Sequence, residues 1–96
     1  MTKTEQRQQS VFTERSIFTR EHQLLSKMLR EARLAAGLTQ IQLGELLDQP
    51  QAIISKCERG ERRLDVIELR AYCEAMGVSY LTVLNRLEKE IKKKGW

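Results

Sequence analysis

Apolar positions recur at helical spacing along this chain from residue 25 to residue 91, and polar or glycine punctuation separates the runs. Leu25, Met28, Leu29 and Ala32 stand at i, i+3, i+4 and i+7, one face of a helix. Thr19 is placed to cap that helix, Glu21 sits in its first turn, and Gly37 ends it just past Ala36. Thr39 and Gln42 have the spacing of a capping box and open a second, short helix. Its buried stripe is expected at Leu43, Leu46 and Leu47, and its end near Asp48, a residue that tolerates left-handed backbone. Pro50 leads into a third helix, Gln51 to Arg59, where its missing N–H costs nothing; Gly60 closes it, with Ile54 and Cys57 facing inward. Asp65 and Glu68 repeat the capping box for a fourth helix, with Val66, Leu69, Cys73 and Met76 inside and Gly77 at its end. Ser79 caps a fifth, which carries Leu81, Leu84, Leu87 and Ile91 before Lys92, Lys93 and Lys94. No stretch has the period of a strand, so the pattern predicts an all-α fold, a compact five-helix bundle.

Residues 1–18 read differently. Val11–Phe12 and Ile17–Phe18 are the only apolar pairs in a polar segment. The expected organisation is an N-terminal arm over 1–18, mobile or in contact with a dimer partner. A domain over 19–91 and a basic tail over 92–96 follow.

The chain has 96 residues, enough for one domain with a small core. One His and two distant Cys cannot build a zinc site of the usual kind. Cys57 and Cys73 sit among apolar neighbours and are expected to be free thiols acting as small hydrophobes. No apolar run approaches the ~18 residues of a membrane span. The N-terminus lacks the apolar stretch of a secretory signal, so a cytoplasmic location is expected. The net charge of +4 permits a polyanionic partner without requiring one. Residues 65–87 are the stretch with net negative charge and are expected to face away from any anion. No nucleophile–base pair, phosphate-cradling glycine loop or metal cluster is visible, so neither an enzyme nor a cofactor is expected.

The segment from Leu38 to Gly60 carries the functional information. Two short helices are joined by about three residues, and Gly44 lies midway along the first. Glycine costs about 1 kcal/mol against alanine inside a helix, so its presence there points to a close backbone approach. This is the layout of a helix-turn-helix over 39–59, whose second helix can enter the major groove of DNA.

Here the chain resembles the Cro/phage-repressor type, or XRE-like, helix-turn-helix family. The resemblance covers about Leu25 to Leu87. It rests on Leu29 to Arg33, Gly37 to Gln40, Gln51 with Ile54 and Ser55, Glu58 to Gly60, and Ala75 to Val78. It implies a lambda-repressor-like five-helix domain that binds double-stranded DNA, usually as a homodimer on a near-palindromic site. Two departures stand out. The family commonly has Gly where this chain has Asp48 and Ala where it has Gly44, and Ser or Thr usually caps the recognition helix where this chain has Pro50.

Site residues follow from chemistry and resemblance together. Gln40, at a helix N-terminus, is expected to hold a phosphate. Gln51 can pair with N6 and N7 of adenine, and the Ala52 methyl can meet a thymine methyl. Ser55 can bond bases or backbone, and Lys56 guanine or a phosphate. Ile53 has two readings, contact with thymine methyls or packing on Pro50 and the following loop. Arg62 and Arg63 are expected to clamp phosphates, while Arg59 faces solvent. The resemblance implies a structural pair between Arg33 and Glu58, with some phosphate contact by Arg33. Leu84, Leu87 and Ile91, joined by Phe12 and Phe18 of the arm, are the expected dimer interface. His22 is expected to be exposed, and Trp96 either disordered or docked on a partner chain.

Two functions are compatible with these residues. One is a DNA-binding transcriptional regulator, a repressor that occupies its operator. The other is an antitoxin-type interaction module that neutralises a small protein partner, a toxin, and represses its own operon.

Overall fold

Each helix begins and ends on local chemistry, and that chemistry sets the architecture. The computed structural model of the chain describes residues 19–96. The expectations for the arm, Phe12 and Phe18 included, lie outside them. Helix α1 spans Arg20–Ala35, with the Thr19 hydroxyl accepting from the His22 N–H at 3.2 Å. Helix α2 spans Gln40–Leu47 behind a complete capping box, Thr39 Oγ1 accepting from Gln42 N and Gln42 Oε1 accepting from Thr39 N. Helix α3 spans Gln51–Glu58 with Pro50 as its N-cap. Helix α4 spans Val66–Met76, opened by the Asp65–Glu68 capping box, and α5 spans Tyr80–Lys94 behind Ser79. The three lysines of the expected 92–96 tail are therefore the last turn of α5, where their charge suits the helix dipole.

Helix α1 stops in a Schellman motif. Leu38 N–H reaches Arg33 O at 3.2 Å, and Gly37 N–H reaches Leu34 O at 3.0 Å. Gly60, Gly77 and Gly95 play the part of Gly37 after α3, α4 and α5, all at positive φ. Only α2 turns on a side-chain-bearing residue, Asp48, at φ 56.

The core contains Leu29 of α1, Leu43 of α2, Ile54 and Cys57 of α3, and Leu69, Tyr72, Cys73 and Met76 of α4. Both cysteines are buried free thiols. Two expected core positions are outside it. Leu46 is 60% exposed and Val66 is 62% exposed. The inward face of α2 is centred on Leu43, Gly44 and Leu47, which leaves Leu46 about a third of a turn away. In α4 the inward set is Leu69, Tyr72, Cys73 and Met76, itself an i, i+3, i+4, i+7 series, and Val66 lies at the helix's exposed start.

Helix α5 packs on α4 and α1 yet contributes no fully buried residue. Val83 and Leu84 are half-buried against the core, Leu87 and Ile91 are half-buried further along, and Leu81 is exposed. Trp96 does not stand free: its ring lies under Arg20, 4.9 Å from guanidinium to centroid, with Lys94 at 5.4 Å. His22 corrects its expectation as well, being half-buried with Nε2 enclosed and unpartnered. Burial, then the nearby Arg63 charge, hold its pKa below the ordinary histidine value, partly offset by a backbone hydrogen bond at Arg62. Among the described residues no helix is long and apolar enough to cross a membrane.

Candidate nucleic-acid interface

The joint between α2 and α3 is Asp48, Gln49 and Pro50. Gln49 N–H donates to Gly44 O at 2.8 Å and folds the turn back on α2. A Cβ on Gly44 would lie 2.5 Å from the Gln49 carbonyl oxygen and 3.6 Å from Ile54. The close approach is thus made by the turn's own backbone, with α3 just behind it. Pro50 offers no side-chain cap; its carbonyl accepts from the Ile53 N–H at 3.0 Å, and Gln51 and Ala52 stand exposed at the start of α3.

Behind α3 lies a buried ion pair. Arg33 Nε meets Glu58 Oε2 at 2.5 Å, its NH2 meets Oε1 at 3.1 Å, and its NH1 donates to Leu38 O at 2.7 Å. The two side chains are 8% and 3% exposed. The phosphate contact expected of Arg33 is therefore corrected to an internal role: the guanidinium points inward and all three of its nitrogens are engaged. The Glu58 hydrogen bonds also raise its pKa further, so it stays a cation at every working pH.

Glu58 does more than pair. Its Oε1 also accepts from Gln40 Nε2 at 3.0 Å, and Gln40 Oε1 accepts from Gln51 Nε2 at 3.1 Å. A carboxylate can only accept, so Gln40 must turn its NH2 toward it and its oxygen toward Gln51. Gln51 must then offer an N–H to Gln40, which leaves its own Oε1 and second N–H for other partners. The charge of Glu58 fixes the orientation of two successive amides, the last of them on the exposed start of α3.

The other expected contacts are distributed around this chain of bonds. Ala52 and Lys56 are exposed on α3. Ser55 is half-buried and accepts a hydrogen bond from Arg59 NH1, while Arg59 also holds Glu61 at 3.1 Å. Arg59 and Glu61 are both about half exposed, and their bonding depresses the Glu61 pKa. Nothing in the local sequence signals this Ser55–Arg59–Glu61 cluster except the i, i+4 spacing of its first two members. Arg62 pairs with Glu68 at 3.1 Å and is half-buried, whereas Arg63 is exposed on the loop after Gly60. Ile53 is half-buried against the core and shares a cavity wall with Leu64, the packing alternative of its two readings. Leu84, Leu87 and Ile91 belong to α5, which packs on α4 and α1.

Residues 29–83 match the family model described as helix-turn-helix. No curated protein matches significantly. Among solved structures, an XRE-family-like protein from Pseudomonas syringae pv. tomato is similar at 42% identity and a TM-score of 0.72, covering 79% of this chain and 93% of that one. Two structures of the clp gene regulator ClgR from Corynebacterium glutamicum are also similar. One is 25% identical with a TM-score of 0.70, over 80% of this chain and 82% of that one. The other is 27% identical with a TM-score of 0.67, over 74% and 91%.

Proposed function

The chain belongs to the XRE-like helix-turn-helix family of DNA-binding transcriptional regulators, and from that premise we propose that it is a sequence-specific repressor that reads a near-palindromic operator as a homodimer. Helix α3 enters the major groove. Gln51 reads adenine with the donor and acceptor that Gln40 leaves it, Ala52 meets a thymine methyl, and Lys56 reaches guanine or phosphate. Ser55 acts from the side of the helix through Arg59. Gln40, Arg62 and Arg63 contact phosphates and set the register. The observation that carries this reading is the Glu58–Gln40–Gln51 chain, because it holds a base-reading amide in one orientation before DNA arrives.

The dimer forms through α5. Leu84, Leu87 and Ile91 stay half-buried in one chain, and a second copy of the same stripe completes their burial. Two half-sites about 34–36 Å apart then fit two reading helices on one side of the duplex. Repression follows from occupying the promoter.

Selection from a random DNA pool, followed by titrations at two salt concentrations, tests the reading. An inverted repeat is expected to emerge. Gln51→Ala is expected to relax one position in each half-site. Changing Arg62 and Arg63 to Ala is expected to weaken all sequences alike and flatten the log–log salt slope by about 0.9 per lost contact. Weak binding with no motif would overturn it and leave the domain as a scaffold for a protein partner.

A further inference from the structure

The backbone of Glu61 is held against the last turn of α3. Glu61 N–H donates to Lys56 O at 2.9 Å, Gly60 N–H donates to Cys57 O at 3.1 Å, and Gln23 Nε2 of α1 donates to the Gly60 carbonyl at 3.3 Å. From there the Glu61 side chain turns back along the helix. Arg59 Nε donates to Glu61 Oε2 at 3.1 Å, Arg59 NH2 donates to Glu61 Oε1 at 3.2 Å, and Arg59 NH1 donates to Ser55 Oγ. All three guanidinium nitrogens are engaged, and the Nε–NH2 edge meets two oxygens of one anion. That is the two-pronged geometry in which arginine also grips a phosphate. The Arg59 hydrogen bonds, helped by the Arg59 and Lys56 charges and opposed by desolvation, hold the Glu61 pKa below the usual glutamate value, so the carboxylate is ionised at neutral pH.

We propose that Glu61 is a brake on DNA affinity, its carboxylate competing with DNA phosphates for the Arg59 guanidinium. The brake rests on the DNA-binding reading, which brings α3 and its exposed Lys56 against the duplex. Arg59 and Glu61 are both about half exposed, so their ion pair is weak and a phosphate can take Arg59 from it. The exchange yields less than a fresh contact. As Arg59 moves to DNA, the phosphate releases a condensed cation, but the stranded carboxylate attracts one back, and the net release shrinks. Glu61 then remains beside the phosphates as a like charge. Phosphate attraction carries no sequence information, so the brake sets how tightly the chain holds any duplex and leaves the base reading of Gln51 unaltered.

The test titrates the full chain, Glu61→Gln, Arg59→Ala and the double variant on one random-sequence duplex at about 50 and about 200 mM salt, the span over which phosphate contacts change affinity steeply. Glu61→Gln keeps the size of the side chain and removes its charge. It is expected to bind about two- to fivefold more tightly than the parent at the lower salt, the range of an exposed ion pair. Its log–log salt slope is expected to be steeper by up to about 0.9, one phosphate contact, so the gain shrinks as salt rises. In the Arg59→Ala background the same change is expected to gain less, because only like-charge repulsion is relieved there. The motif selected from a random pool is expected to be the same for the parent and Glu61→Gln. Weaker binding by Glu61→Gln overturns the brake and makes Glu61 a support that holds Arg59 for DNA. An equal gain with and without Arg59, or a changed motif, also overturns it. Parent and Glu61→Gln binding alike keeps the DNA-binding reading and rejects the brake, whereas no duplex binding by either protein overturns both.

Discussion

Removing Glu58 alone is expected to be among the most damaging single changes in this domain, and removing Arg33 with it is expected to be mild. Glu58→Ala leaves a guanidinium, 8% exposed, with two of its three bonds gone. An uncompensated buried charge of this kind costs about 3–5 kcal/mol. For a domain whose total stability is about 5–15 kcal/mol, that is a large share. At about 4–8 °C per kcal/mol for a chain of this size, the drop in Tm is easily resolved. The pair Arg33→Met with Glu58→Leu removes both charges and keeps the volume apolar. It forfeits the donor to Leu38 O, worth about 1–3 kcal/mol where that carbonyl is buried, and recovers the desolvation of two ions. The double variant is therefore expected to remain folded, within about 2 kcal/mol of the parent. Its DNA affinity is nevertheless expected to fall. Gln40 has lost the acceptor that orients it, and Gln51 has lost the fixed amide on which its own orientation depends. A misaligned bidentate base contact forfeits about 1–3 kcal/mol of discrimination. Urea unfolding of the two single variants and the double, with DNA titration of the double, measures both effects. Single variants that lose less than about 1 kcal/mol, the range of an exposed ion pair, would refute the burial argument. A double variant that reads DNA as well as the parent would refute the orienting role of Glu58.

Other changes test other links. Gly44→Ala gains about 1 kcal/mol in helix propensity but places a methyl 2.5 Å from the Gln49 carbonyl, so a net loss of stability is expected and a raised Tm would show that the turn yields. Burial and the Arg63 charge favour neutral His22 in the folded chain, so stability is fully present above the unfolded pKa of about 6.5 and declines as pH falls through the lowered folded value. His22→Gln is expected to flatten that decline in denaturant midpoints measured across the range. Thr39→Ala removes one half of the capping box before α2 and is expected to cost about 1 kcal/mol by the same assay, whereas a change within error would mean that water replaces the hydroxyl.

Helix boundaries were legible because they are decided within a few residues. Thr39 with Gln42 and Asp65 with Glu68 are three apart, and both capping boxes are formed. The faces of the short helices were less legible. In α2 the spacing of Leu43, Leu46 and Leu47 fits two orientations, and the contact of Gly44 with the turn selects the one that exposes Leu46. Tyr72 went unassigned because an aromatic with a polar tip fits core or surface, and only its place in the core cluster beside Leu43, Ile54 and Cys57 decides. The candidate site shows the same division. Resemblance supplied Arg33 with Glu58, which lie 25 positions apart. The bonds from Glu58 to Gln40 and on to Gln51 span 18 and 11 positions and run from α3 to α2 and back, beyond the reach of any local pattern. The inward turn of Arg33 is a consequence of that same network.

Helix α5 has no fully buried residue, while α4 contributes four of the eight in the core cluster. The two helices should therefore report different opening events. Amides of α4 exchange with solvent only when the whole domain unfolds, whereas those of α5 exchange through a cheaper local detachment that leaves the other helices in place. Any partner that covers α5 slows its exchange in proportion to occupancy, so the ratio of α5 to α4 exchange rates becomes a concentration-dependent gauge of assembly, readable without DNA.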